Sequence, residues 1–392
     1  MSRGIRVAIA AFMCIAGVSC GDPDPGIRGE PVRIGVIVSL TGDLAAVGPH
    51  LENSARLVER EVNAAGGLLG GRRLELVVRD DRTEASQAAI VARDLIENEG
   101  VVAIVGSLGS AASLAVAEVT SDARVPQISC CSTSQDLTTA QPEDDRYLFR
   151  TVPSDLLQAV VLARHAESCT ALAILHIDDS YGNPFGAAIE QNFTSRGGNV
   201  VGRVAFRGGR PSYAAEVAEV RALNPDCIAL VAFPENGGTI LREWDALPDS
   251  TDVRWIGTDG VKDNGLVLEA GRPELVDGVE GTAPIVEPDT PSFQTYAALY
   301  LATFSEGVGI FGGNQYDATA LLVLAMEAAG STDGSDIRDA LFQVSNPGEP
   351  GDTQPFFGPG DLGEALGRIR EGTDIDYNGA GGPVDLEPNG DV

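Results

Sequence analysis

RIGVIVSL, residues 33–40, is a nearly continuous apolar run. A strand buried on both faces reads this way, and such strands belong to parallel sheets covered by helices. The next segment agrees. Leu51, Ala55, Val58, Val62 and Ala65 recur at steps of three and four, which marks one buried helix face. Gly66-Gly67 stops that helix. Outward from there the alternation continues, with strands expected at 74–78, 101–105 and 126–129. A helical pattern covers 88–95, and a small-residue turn at 106–113 leads into a helix. A second series starts after Phe149-Arg150-Thr151. Helical patterns at 156–165, 186–193, 213–223 and 239–244 alternate with apolar runs at 171–177, 200–206, 227–233 and 253–256. Alternation of this kind implies right-handed crossovers and parallel sheets. Two series of similar length imply an α/β protein of two doubly wound lobes. Two long helical patterns follow, at 293–304 and 316–329. The tail from Pro350 is rich in Gly and Pro with little periodicity.

The chain has 392 residues, enough for two domains. Hydrophobic residues make up 43% and charged residues 21%, so a core can be buried. The formal net charge is −30, and Lys262 is the only lysine. A nucleic-acid binder needs a basic footprint, which is missing here. The same deficit argues against docking on anionic lipid through a polybasic patch.

Residues 1–19 carry Arg3 and Arg6 before an apolar stretch at 7–17, too short to span a bilayer. Small residues then lead to Cys20. The segment resembles a bacterial lipoprotein signal, which would make Cys20 the lipidated N-terminus; an ordinary cleaved signal with a chance cysteine is the alternative. Residues 20–31 read as a tether. Export permits disulfides, yet the cysteines do not advertise any. Cys130 and Cys131 are adjacent, and neighbours rarely bridge because the usual Cα separation is about 5.5 Å. Cys169 and Cys227 read as buried small hydrophobes. Neither the cysteines nor His50, His165 and His176 show zinc-site spacing.

Absent motifs narrow the chemistry. No G-x-G-x-x-G follows the first strand, no G-K-[ST] is present, and no G-x-S-x-G or H-E-x-x-H occurs. Asp385, Glu387, Asn389 and Gly390 imitate the start of a calcium loop but lack its last ligand, so Asn389-Gly390 reads as a turn. No nucleophile–base pair supports an exported hydrolase. No enzyme activity, cofactor or metal is expected.

Several stretches together form a family pattern: IGVIVSLTGDLAAVG, NAAGGLLGGRRLELVVRDD, VVAIVGSLGSAAS, VPQISCCSTSQDLT, FRTVPSD and DDSYGNPFG. LNPDCIALVAFPENGGTILREW, IGTDG and YNGAGGPVDLEPNGDV complete it. In this order and spacing they resemble the periplasmic branched-chain amino-acid-binding proteins, the type I substrate-binding proteins of ABC importers. The resemblance runs from about Val32 onward. It implies two lobes joined by three hinge crossings, near 149–153, 284–288 and 343–354, with a ligand held between them. The first lobe would comprise 32–149 plus 285–346, and the second 150–284 plus 347–392.

By that resemblance, Ser110 and Thr133 offer hydroxyls and backbone N–H groups to a ligand carboxylate, helped by a helix dipole. The carbonyl of Cys131 and the carboxylate of Asp259 take the ammonium, and Tyr181 closes over the ligand. Each residue also has a plain alternative: helix caps for Ser110 and Thr133, turn chemistry for Asp259, a half-buried loop aromatic for Tyr181. Val47, Phe233 and Leu108 would form an apolar side-chain pocket, or else only pack the lobes. Thr83 and Gly109 stand where some relatives carry a disulfide. The expected protein is a monomer in the periplasm or at the cell surface. It would be held to the membrane only through lipid on Cys20 and would deliver an apolar α-amino acid to an ABC permease. An amide, urea-like or aromatic carboxylate ligand, for uptake or sensing, is the alternative.

Overall fold

The computed structural model describes residues 28–248, 252–346 and 355–392. The leader, Cys20 and most of the tether lie outside the described residues, as does most of the crossing at 343–354.

Strand β1 (Val32–Val38) is buried along nearly its whole length. It pairs in parallel with β2 (Leu74–Asp80) on one side and β3 (Ala103–Val105) on the other. With β4 (Gln127–Ser129) and β5 (Leu148–Arg150), the order is β2-β1-β3-β4-β5. Helices α1 (Gly48–Ala64), α2 (Ala85–Asp94), α3 (Ser110–Ala123) and the short α4 (Asp136–Thr139) connect these strands. On α1 the buried face contains Leu51, Ala55, Val58 and Val62, as the spacing implied. Gly66 and Gly67 then turn the chain at φ of +89° and +84°, a region that strains other residues.

The second lobe repeats the plan. Helices α5 (Asp155–His165), α6 (Gly182–Ser195), α7 (Ala214–Ala222), α8 (Pro234–Asp245) and α9 (Asn264–Ala270) accompany its sheet. Its strands are β6 (Leu172–Ile177), β7 (Val200–Phe206), β8 (Cys227–Val231), β9 (Arg254–Gly257) and β10 (Glu280–Gly281), in the order β10-β9-β8-β6-β7. In each sheet the first strand of its lobe, β1 or β6, has its successors on both sides. The connections diverge there and leave a crevice at the strands' carboxyl ends.

After β10 the chain returns to the first lobe. There α10 (Pro291–Phe304) packs on α1, and α11 (Gly312–Ala329) packs on α1, β3, β4 and α12 (Gly334–Ser345). The tail forms β11 (Phe356–Phe357), α13 (Leu362–Arg370), β12 (Asp376–Gly379) and β13 (Gly382–Pro383).

Two expectations need correction. First, the sequence placed 347–392 in the second lobe, yet its described part packs on the first. Helix α13 lies on α1 and α11, and β12 lies on α12, α11 and α10. Asp317 of α11 fixes the hairpin by accepting from the Tyr377 hydroxyl at 2.8 Å and from the Ala380 and Gly381 N–H groups at 2.7 Å each. Second, the cysteines pair: Cys130 with Cys131, and Cys169 with Cys227 at a Cα separation of 5.8 Å. Fifty-eight residues separate the latter in sequence, but β6 and β8 are neighbours and Leu172 faces Cys227 in their register. That adjacency is a property of strand order, which spacing alone does not reveal.

Candidate functional site

Every candidate residue sits just beyond the carboxyl end of a strand. Val47 follows β1, Leu108 and Ser110 follow β3, and Cys131 and Thr133 follow β4. Tyr181 follows β6, Phe233 follows β8 and Asp259 follows β9. All eight line one interlobe cavity, together with Leu44, Gly109, Gly260, Ile310 and Phe311. The cavity is narrow, about 30 Å³. Ordinary small-molecule pockets hold about 300–1,000 Å³, so a small-molecule ligand has room here only when the lobes part. A wider groove of about 530 Å³, lined by Lys262, Glu280 and Val308 among others, opens beside it and shares Ile310.

The first lobe supplies a bed of hydroxyls. Ser110 is the first residue of α3, after the capping position at Gly109. Its Oγ accepts from the Ser134 N–H at 3.3 Å, which ties the two loops together. The Ser132 hydroxyl donates to Ser113 Oγ at 2.8 Å, and its oxygen lies 3.0 Å from the Leu108 carbonyl. The Thr133 carbonyl accepts from Asp155 N–H at 2.8 Å. Thr133 Oγ1, by contrast, is buried and makes no hydrogen bond. An unsatisfied buried hydroxyl is costly and needs a reason.

The second lobe supplies acids and rings. The Tyr181 hydroxyl donates to Asp259 Oδ1 at 3.0 Å and lies 2.9 Å from Thr258 Oγ1. The Tyr181 ring stacks on Phe233 at 5.4 Å and meets Phe185 edge-on. It is 3% exposed, so it is a wall of the cavity rather than a loop ornament. Phe233 caps α8, its N–H donating to Asn236 Oδ1 at 2.8 Å.

Asp155, the first residue of α5, escaped the sequence reading. It is 2% exposed, and neither carboxylate oxygen makes a hydrogen bond. Burial, then the charge of Asp259, pushes its carboxyl well above the usual range; the nearby Thr133 hydroxyl and Arg150 oppose this. Asp259 is pushed up to about 6 by burial, against hydrogen-bond help from Tyr181 and Gln158. Two carboxyls in one dry site cannot both ionise cheaply without a cation between them. A signal for Asp155 was present: it closes FRTVPSD. An acid in a helix's first turn is ordinary, because it complements the helix dipole, so nothing local marks Asp155 as part of a site. For Ile310 and Phe311 no local signal existed, because the return of the chain from β10 brings them in.

Residues 31–369 match the model of the periplasmic binding protein family. The chain belongs to that family. Its members are extracytoplasmic solute-binding proteins, not enzymes. The chain is 29% identical over 370 residues to the "Chemotactic signal transduction system substrate-binding protein BasB" of Halobacterium salinarum, covering 91% of this chain and 84% of that one. It is 24% identical over 335 residues to the "Leucine-, isoleucine-, valine-, threonine-, and alanine-binding protein" of Pseudomonas aeruginosa, covering 84% and 86%. Among solved structures, the leucine binding protein LivK of Thermotoga maritima superposes with a TM-score of 0.75 at 24% identity, covering 92% of each chain. That likeness shows the fold of this binding protein: two α/β lobes around a cleft.

Proposed function

We propose that this protein binds an α-amino acid with an apolar side chain between its lobes and delivers it to an ABC permease. One observation carries the reading. The unpartnered Thr133 hydroxyl and the acids Asp155 and Asp259 belong to a single closed site, the hydroxyl lining the cavity with Asp259. A zwitterion satisfies both ends at once. Its carboxylate accepts from Thr133, Ser110 and the start of α3, where the helix dipole favours an anion. Its ammonium compensates the acids and accepts no hydrogen bond, so it needs acceptors such as these and the Cys131 carbonyl. Leu44, Val47, Leu108, Phe233, Ile310 and Phe311 leave no charged wall for a side chain. The monomer is tethered through lipid on Cys20 after residues 1–19 are removed, a reading that rests on the leader's pattern; Cys20→Ala would then free the protein from the membrane.

The test is calorimetric titration with leucine, isoleucine and valine. Saturable binding, lost with Asp259→Asn, supports the proposal; no heat from any amino acid refutes it. A second reading rests on the raised acids. Protonated carboxyls donate hydrogen bonds and so suit a neutral amide or urea-like ligand. Binding that strengthens as pH falls would select it. Whether binding serves uptake or sensing is tested by deleting the cognate permease. Loss of transport with intact taxis would separate the two.

A further inference from the structure

We propose that Asp391, which does not line the cavity, is a positioning residue for the carboxylate-binding half of the cleft and acts through Arg150 on the 132–134 loop. The inference rests on the amino-acid reading above for its ligand readout only. Arg150 is the last residue of β5 and is 1% exposed. Its Nε donates to Asp391 Oδ1 at 2.7 Å and its Nη2 to Asp391 Oδ2 at 2.8 Å, a two-pronged pair. Its Nη1 donates to the Ser134 carbonyl at 2.9 Å and to the Ser132 carbonyl at 3.4 Å. Those two carbonyls stand on either side of Thr133. One rigid cation therefore grips the carboxylate along one edge and the binding loop along another.

The neighbourhood explains why the carboxylate matters. Arg150 Nη2 and Asp391 Oδ2 share the Thr138 hydroxyl, each at 2.8 Å, and the Arg150 N–H donates to the Gly390 carbonyl at 2.9 Å. A second buried guanidinium, Arg146, feels Asp391 as its largest favourable charge and Arg150 as a repulsive one. Without Asp391, two buried cations face each other with little compensation. Arg150 then has reason to turn away, which releases both carbonyls. Thr133 would stay tied at its own carbonyl to Asp155 while its flanks move. Its free hydroxyl would lose aim at a ligand carboxylate.

The test uses Asp391→Ala, Asp391→Glu and Thr138→Val, the last removing only the shared hydroxyl. Amide hydrogen exchange of the unliganded protein is read at 132–136 against 227–231 in the second lobe. Binding of leucine and of leucinamide is measured by calorimetry. Asp391→Ala should speed exchange at 132–136 by about tenfold with the second-lobe strand unchanged. It should also cut the preference for leucine over leucinamide by about tenfold, the scale of one charge-assisted hydrogen bond. Asp391→Glu should restore most of both, and Thr138→Val should show a smaller change of the same sign. Exchange raised evenly in both lobes, or an unchanged preference in a folded variant, overturns the proposal. If the unaltered protein binds neither compound, the amino-acid reading fails while exchange at 132–136 still decides the role of Asp391. If Asp391→Ala does not fold, Thr138→Val decides by the same two readouts.

Discussion

The two lobes share a strand order but bring opposite chemistry to the cleft. The first presents hydroxyls and a helix start: Ser110 at the head of α3 and Thr133 on the loop after β4, laced together through Ser132, Ser134 and Ser113. The second presents acids and rings: Asp155, Asp259, Tyr181 and Phe233. On the proposed reading the first takes the anion and the second the cation. Neither lobe alone would satisfy a zwitterion, so ligand binding and lobe closure would become one event. A duplicated plan with divergent loops is how one fold makes two unlike half-sites.

The harshest way to break this division is at Asp259. Asp259→Asn keeps the shape and removes the charge, and should weaken leucine binding about a hundredfold or more, read by calorimetry, since removing one partner of a buried ion pair costs about 3–5 kcal/mol. The same change should raise the melting temperature of the unliganded protein above pH 6. The carboxyl's folded value, about 6, lies above its ordinary one, so its contribution to stability is full at low pH and lost as pH rises toward and past 6. Affinity and stability should therefore move in opposite directions.

On the other lobe, Thr133→Val keeps the volume and deletes the free hydroxyl. Leucine binding should fall about tenfold to a hundredfold, from a charge-assisted bond of about 1.5–3 kcal/mol. Leucinamide binding should change far less. If both ligands weaken equally, the anion side has been misassigned.

Protonation offers a gentler test. An ammonium prefers ionised Asp259, so the proton must leave before or during binding. Affinity should be level above about pH 7 and about tenfold weaker at pH 5, with proton release detectable as buffer-dependent binding heat. Binding that is indifferent to pH would remove Asp259 from the ammonium site.

The smallest effect belongs to contacts between the lobes that lie outside the cavity lining. Asp43, in the loop after β1, accepts from the Gly209 N–H at 2.8 Å and from Asn236 Nδ2 at 3.1 Å across the cleft. Asp43→Ala should raise the dissociation rate a few fold, about 1 kcal/mol for exposed polar contacts, with the leucine-to-leucinamide preference unchanged. Small-angle scattering of the unliganded variant should show a more open average shape.

Much of this was legible without coordinates because it was local. The run at 33–40 and the stepped face of α1 state their burial directly, and Gly66-Gly67 states where the helix ends. The eight candidate residues were legible only through the family resemblance; local pattern added that Ser110, Thr133 and Asp259 each follow an expected strand. What stayed hidden depended on which strands and lobes become neighbours. The Cys169–Cys227 bridge needs β6 beside β8. The tail's attachment to the first lobe needs Asp317 to meet the hairpin at 380–381. Ile310 and Phe311 reach the cavity only through the chain's return. Asp155 was hidden differently: an acid in a helix's first turn is too common to mark a site.

One close contact has a practical reach. Gly265, at the start of α9, has no room for a side chain because Ala46 of the other lobe lies 2.3 Å from where its Cβ would stand. The lobes meet there backbone to methyl, with no flexible filler to absorb movement. Any parting of the clamp must register at once at this spot, where Ala46 separates from the start of α9. A pair of small dyes attached on either side of that seam would turn occupancy into a change in light.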